Sequence, residues 1–485
     1  MREVEVESRF GRLPATVTGA LSRSLGPTER MKTAEFLAIE CRLATLDPHM
    51  RSNDMLNIAC RRSASNGDLV CAYTEYEDVV REGLEAEALL GASCSGALGS
   101  RGVVLAVDGS VADHSAIDAL TSGSRASKVT YDPDADPSSL TERELELRDY
   151  VERYNKGKHP RKRIVGFAEA EADPSEVVYV SVDDVLAHRQ TRTRDAVERA
   201  GGERPGERIF HSVSHVEADD AVYVLEARKQ SVCYALTLAC LLENGLEGRE
   251  VVLFTDGEES LKEIADDVLS SWPHNSYLDY FHVKENIASR FSRAFRPGKV
   301  IDDTVEPERF KNGKVKKSSI AKITRSKYHL REVISMIWAG NVDGAIAYLR
   351  EVDDRELKPG GRAQLDGVIE YLERKRDRIP CYAIRAHLGL RNSSNAVERA
   401  NNALVSRRQK KKGVSWCDDG SFALAAMTAV FENGNSQSFF ERGSVSLSLR
   451  GKASERGRKT GLEWVPGDEV QLAVTSCTGW LEASA

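Results

Sequence analysis

Apolar residues in the middle of the chain fall into short β-branched runs separated by stretches with helical spacing. VVYVSV at 177–182 reads as a strand and runs into Asp183-Asp184. An alternating segment at about 208–216 predicts a second strand, EADD at 217–220 a turn, and AVYVLEA at 221–227 a third strand. The apolar run 232–244 is expected to be a helix stopped by Gly245. EVVLFT at 250–255 predicts a fourth strand ending in Asp256-Gly257. A helix over 258–269 and a fifth strand over 276–283 (SYLDYFHV) follow. Three strands joined by tight turns, then two helical crossovers, imply an α/β mixed sheet flanked by helices. In that topology the first and fourth strands are neighbours, so the ends carrying Asp183 and Asp256 converge.

The flanking regions read differently. Residues 29–90 carry apolar positions at helical spacing, among them Phe36, Leu37, Ile39 and Leu43. A Gly/Ser-rich stretch, 91–102, separates them from strand-like VVLAV at 103–107, after which Asp108-Gly109 reads as a turn. A charged helix is expected over about 140–154, with Ser138, Ser139 and Thr141 as candidate caps. From 284 to about 379 the chain looks helical and basic. A further helix is expected from Asn395 to about Arg408, then a loop with Trp416 and an apolar helix over 421–431. The resulting division has a mainly helical N-terminal region (1–100, a candidate DNA-binding unit) and a connector (101–174). The core is read in two parts (175–283 and 386–434) around a basic helical insertion (284–385), and a tail closes the chain (435–485).

At 485 residues the chain has room for two to four domains, and 41% hydrophobic content excludes global disorder. The sequence shows no apolar run of about 18 residues, and MREVEVESRF lacks an apolar signal core, so a soluble, cytoplasmic protein without membrane partners is expected. Nine cysteines without a CxxC pair give no support to a zinc site and fit a reducing compartment. Cys233 and Cys240 read as small helix-core residues. The net charge of −7 argues at first against a nucleic-acid partner. Between Lys284 and Arg331, however, 14 Lys/Arg stand against 5 Asp/Glu, and further basic clusters occur at 158–163 (KHPRKR) and 407–412 (RRQKKK). A local basic surface is what phosphate binding requires, whatever the global sum. For any one cluster, a solvated charged face is the plain alternative.

Carboxylates at converging strand ends suit one chemistry in particular. Phosphodiester cleavage needs charge on the transition state neutralised and a strong nucleophile near neutral pH, and two Mg²⁺ ions about 4 Å apart supply both. Mg²⁺ prefers oxygen ligands, and carboxylates crowded together repel one another without a cation. Asp184 faces the opposite side of the strand from Asp183, so one of the two joins such a cage, and the flanking apolar positions favour Asp183. For Asp256-Gly257 the alternative is an ordinary turn. Glu398 is the third candidate. Asn395–Glu398 also has capping-box spacing, but the Glu398–Asn402 face borders the apolar stripe Val397, Ala400, Leu404 and can look into a cleft beside the sheet.

VYVSVDDVLAHRQ, VVLFTDGEESL with LDYFHVKENI, and NSSNAVERANNALVSRRQKKKGVSWCDDGSFALAAM together resemble the DDE transposases of bacterial insertion sequences, particularly the group related to Mutator elements. That family has one Asp after the first strand, a second in a strand-Asp-Gly turn and an Asp-aromatic-His block. After a helical insertion comes a Glu in an N/S-rich AVE-x-x-N motif ending in Gly-x-x-Trp. The resemblance spans about 177–430, roughly half the chain. It implies a ribonuclease H-like fold, with Asp183, Asp256 and Glu398 as catalytic and metal-binding residues. Two Mg²⁺ ions, with Mn²⁺ as substitute, are the implied cofactors. The implied partners are element ends, target DNA and further copies of the chain on DNA, in a nucleoid-associated setting. Metal-activated water cuts the element end, and the freed 3′-hydroxyl attacks a target phosphodiester. Asp184 departs from the pattern, since much of the family has Gly there.

Around that set, Arg399, Arg407, Arg408, Lys410, Lys411 and Lys412 are expected phosphate contacts. Trp416 is either a base-stacking residue or a core anchor for its loop. His282, expected on a buried strand, either orients the substrate or is a satisfied core residue. Asp279 either assists the cage or makes a structural hydrogen bond. Two rival readings stand beside the transposase: a ribonuclease H-like nuclease without strand transfer, and a domesticated DNA-binding protein without chemistry.

Overall fold

A computed structural model of the chain describes residues 76–451 apart from 114, 122–124, 191–207, 256–268, 270, 271, 273, 303, 313 and 412–414. It also describes short N-terminal pieces: 2–8, 11–17, 31–32, 38, 41–42 and 44–45.

The N-terminus corrects the helical expectation only in part: residues 38, 41–42 and 44–45 are helical, but strands come before them. β1 (Arg2–Ser8) and β2 (Gly11–Val17) form an antiparallel hairpin, with β3 (Met31–Lys32) parallel to β1. Val alternating with charged residues in REVEVE is a period-two pattern, which is the signal for a strand. Helix α1 (Tyr76–Ser100) then runs straight through the Gly/Ser-rich stretch expected to break it. Burial of Cys94, Ala97 and Leu98 holds its last turns, and packing of this kind outweighs weak propensity. β4 (Val104–Leu105) and β5 (Val111–Asp113) enclose the Asp108-Gly109 turn, closed by Ser110 N–H and Oγ–H donating to Asp108. β6 (Lys128–Tyr131) pairs with β7 (Ala168–Glu171). Between them lies α2 (Glu142–Asn155), opened by Thr141 and Glu144 in a reciprocal capping box.

The sheet agrees with the expected order. β8 (Val177–His188), β9 (Arg208–Ala218) and β10 (Ala221–Ala227) form an antiparallel meander. The β9–β10 turn places Asp219 and Asp220 at φ 47° and 62°, the left-handed pair that suits a two-residue hairpin. After α3 (Gln230–Glu243), β11 (Glu250–Thr255) lies parallel to β8, and β12 (His274–Leu278) lies parallel to β11. The last strand, β15 (Arg450–Gly451), pairs with β10, giving the order β12-β11-β8-β9-β10-β15. One expectation fails in part: the fifth strand stops at Leu278, because Asp279 caps a helix that begins at Tyr280. The helix expected over 258–269 lies outside the described residues, Leu269 excepted.

Beyond β12 come α4 (Tyr280–Ala294), the paired strands β13 (Lys299–Ile301) and β14 (Lys322–Thr324), α5 (Arg325–Trp338), α6 (Val342–Glu351), α7 (Gly361–Arg374) and α8 (Tyr382–His387). Val283, Ile287, Phe291, Val333, Ile337, Leu365 and Leu372 make this region a core of its own. α9 (Asn395–Asn401) continues through a π-helical stretch, Asn402–Ser406, into a last turn, Arg407–Gln409. α10 (Asp418–Glu432) follows.

The two sheet faces carry different covers. Val180, Val182 and Leu253 pack under α3, where ten consecutive residues, Cys233–Leu242, are buried. Val185, Ala187 and Val213 pack under α9 and α10. α1 crosses α10 so closely that a Cβ at Gly83 would stand 2.2 Å from the Ala423 carbonyl oxygen, which requires glycine there. Among the described residues no helix is long and apolar enough to cross a membrane.

Candidate functional site

Asp183 lies in the middle of β8, opposite Val213, rather than at a strand end. β11 pairs with β8 as far as Phe254 opposite Ser181, so its last residue, Thr255, comes level with Val182, the neighbour of Asp183. The Asp183 carboxylate is half-buried and accepts a 2.6 Å hydrogen bond from Asn401 Nδ2 on α9. Asn401 is itself buried, and its Oδ1 has no partner among the described residues. Asp184 points the other way. Ser212 Oγ at 2.7 Å and Gln230 Nε2 at 2.6 Å bind its two oxygens beneath α3.

Glu398 sits on α9 one turn before Asn401, and residues three apart share a helix face. The capping-box alternative is not realised: Ser394, not Asn395, is the N-cap, and no side-chain cap bond forms. Glu398 Oε1 instead lies 3.6 Å from His282 Nε2, and their side chains are 48% and 27% exposed, which leaves both open to a ligand. His282 is therefore a first-turn residue of α4, not a residue of a buried strand.

Asp279 explains why α4 and α9 meet. It is buried, it accepts from the N–H groups of Phe281 (2.6 Å) and His282 (2.9 Å), and its other oxygen accepts from Ser394 N–H. Its own N–H donates to Thr255 O, and Tyr280 N–H donates to Asn392 O. One residue thus ties three elements: its N–H holds the end of β11, and its carboxylate holds the start of α4 and the entry to α9. This is the structural alternative for Asp279.

The basic residues divide by side. Arg399, Arg407 and Lys410 are exposed and Lys411 half-exposed, whereas Lys412 lies outside the described residues. Arg408 is a correction. It is buried, donates to Ala44 O at 3.0 Å and stacks over Trp416. Trp416, also buried, anchors its loop: its N–H donates to His188 O, its O accepts from Gln190 N–H and its indole N–H donates to Gln409 O. It offers no face to a base. KHPRKR at 158–163 is also largely engaged, with Arg161 on Glu351 and Lys162 on Glu332, both at 2.7 Å, and Lys158 over the Tyr154 ring.

Sequence reasoning missed the partners that hold these groups. Asn401 had a signal, being the Asn of AVE-x-x-N. Gln230 beneath Asp184 had none. Nor did the buried chain Glu226–His211–Ser421–Gln409, in which His211 bonds Glu226 at 2.7 Å and Ser421 at 2.8 Å and so pins α10 to the sheet. Burial pushes the Glu226 carboxyl up.

Among the described residues no three His, Cys, Asp or Glu side chains converge on a metal position. Asp256 and Gly257 lie outside them, so the set Asp183, Asp256, Glu398 is present in part. No family model matches the chain, and no curated protein matches it. Among solved structures, the Drosophila P element transposase strand transfer complex aligns at 9% identity, over 83% of this chain and 86% of that one. The TM-score of 0.18 is too low to carry an argument about fold or function.

Proposed function

We propose that the chain cuts and joins DNA as a DDE-type transposase on a ribonuclease H-like core, of the kind found in bacterial insertion sequences related to Mutator elements. The observation that carries this reading is the hydrogen bond from Asn401 to Asp183. It joins the helix bearing Glu398 to the central strand bearing Asp183, beside the strand whose next residue in sequence is Asp256. The strand order, with β8 flanked by an antiparallel meander on one side and two parallel strands on the other, supports the same reading.

The donors fit a hard divalent cation. Asp183 on β8 is bonded by Asn401, one turn along α9 from Glu398, and the Oδ1 of Asn401, without a partner among the described residues, adds a buried oxygen acceptor beside Asp183. Asp183, Glu398 and Asp256 would hold the ions, which supply charge neutralisation at the phosphoryl group when bound. Asn401 orients Asp183. Asp279 fixes the entry to α9 and the first turn of α4, and so sets Glu398 against His282. Arg399, Arg407 and Lys410 face solvent, where they can take phosphates of the DNA backbone. Water adds to phosphorus at the element end as the P–O3′ bond breaks and the 3′-oxygen takes a proton. That hydroxyl then attacks a target phosphorus and displaces the target's own 3′-oxygen. In that joining step one phosphodiester is broken for the one formed and the proton passes to the displaced 3′-oxygen, so joining needs no outside energy.

The test supplies purified full-length protein with Mg²⁺ or Mn²⁺ and DNA containing the sequences that flank its coding region. Nicking, plus joining of a pre-cut 3′ end, is expected for wild type and not for Asp183→Asn, Asp256→Asn or Glu398→Gln. Nicking without joining favours the plain nuclease, and activity surviving Asp256→Asn sinks the assignment.

A further inference from the structure

The arm between β13 and β14 presents basic groups differently from the other two basic clusters. Residues 309–322 contain six Lys/Arg and no Asp or Glu. Lys316 is held by Glu308 at 2.8 Å, but among the described residues no ion pair is recorded for Lys311, Lys314 or Lys317, and all three are exposed. With them stands Phe310, 53% exposed, with the Lys316 ammonium 5.6 Å over the centre of its ring.

The arm is also pre-shaped. Its tip is closed by Phe310 N–H to Lys314 O at 2.8 Å, by Lys316 N–H to Glu308 O at 2.8 Å and by the bridge between Arg309 and Val315. At its base, β13 and β14 pair over three positions, and Arg331 on α5 grips Asp302 at 2.6 Å. Between the lysines and Phe310 lies a shallow cleft of about 830 Å³, room for a nucleotide.

We propose that this arm holds a single DNA strand, with Lys311, Lys314 and Lys317 on successive phosphates and Phe310 stacked on a base. A duplex would engage the lysines but leave the ring idle, because its bases are already stacked. Glu308 answers only Lys316, and an acidic protein segment set against Lys311, Lys314 and Lys317 would leave Phe310 without a base to stack on. A single strand uses both features, since a cationic track with an aromatic platform is the common device for unpaired nucleic acid. The inference rests on the reading above only in taking DNA as the ligand.

Equilibrium binding of the full chain to a labelled oligothymidine and to a duplex of equal length, without divalent cation and across a salt series, tests it. Lys311→Ala/Lys314→Ala/Lys317→Ala should lower the single-strand salt slope by about 2, at about 0.7 per phosphate contact. Phe310→Ala should weaken single-strand binding by about tenfold, as for one lost base stack, and leave duplex binding unchanged. Both variants binding like wild type, Phe310→Ala proving neutral, or wild type binding no single strand would each overturn the proposal. If the arm effects appear while wild type never nicks DNA, the cutting reading falls and the arm stands. If wild type nicks while the arm variants bind normally, the arm proposal falls alone.

Discussion

Asp183 and Asp184 are adjacent on one strand, yet they live in different chemical settings. Strand pleating sends them to opposite faces. Asp184 is closed off beneath α3 by two donors, Ser212 and Gln230, that serve the packing. Asp183 receives a donor from Asn401, whose remaining oxygen is buried and has no partner among the described residues, on a helix that also carries a solvent-open Glu398. A carboxylate whose neighbours are all satisfied stabilises a fold. One whose neighbours leave an acceptor over is set up to receive something from outside.

The sharpest way to break this contrast is Asp183→Asn, which should slow metal-dependent nicking by about three orders of magnitude, about 4 kcal/mol of barrier, without lowering the thermal midpoint. Equal loss on both measures would make Asp183 a packing residue like its neighbour. Asn401→Ala comes next. Losing a partner that orients a ligand typically costs about 10- to 100-fold. A rise of that size in the metal concentration giving half-maximal nicking is expected, with rescue by Asn401→Gln weak at best because the longer arm misplaces the donor. Asp184→Ala should do the reverse and destabilise the fold by about 2 kcal/mol in denaturant titration, because Ser212 and Gln230 lose their acceptor. The folded fraction should still cut. The smallest effect belongs to the basic turn after α9. Arg407→Ala should reduce the duplex salt slope by about 0.9, as for one phosphate contact, whereas Arg408→Ala should leave the slope alone and lower stability.

Much of the sheet was legible because buried strands carry their own signature. VVYVSV and EVVLFT are continuous β-branched or apolar runs, and the paired aspartates at 219 and 220 suit the tight turn between β9 and β10. The helix at 230–243 was equally plain, being apolar on every side. The errors arose where tertiary packing or a cap overrode local pattern. Residues 91–100 are poor helix formers held in place by Leu98 and Cys94 against the core. The alternation in SYLDYFHV hid a helix start, because the Asp279 side chain accepts from the N–H groups of Phe281 and His282 and so caps a helix where the pattern reads as a strand. Residue type alone could not separate Arg407 from Arg408, since which side of a helix meets the core depends on the rotation reached at that point. Likewise, three widely spaced acids were visible as chemistry, but Asn401 and Asp279, which bring two of their elements together, emerge only from contacts between distant segments.

That rotation has a source in the wide turn at 402–406, where Arg407 N–H reaches back five residues to Asn402 O. A single surplus residue has been absorbed into the coil, and each residue of an ordinary helix accounts for about 100° of azimuth. Upstream of it, Asn401 addresses the sheet; downstream, Arg408 and Gln409 address the indole of Trp416 and the hydroxyl of Ser421. Excising one residue from this turn would restore regular winding at the expense of alignment: with the front half seated on Asp183, the rear half would swing Arg408 out toward solvent and bring a neighbour inward in its place.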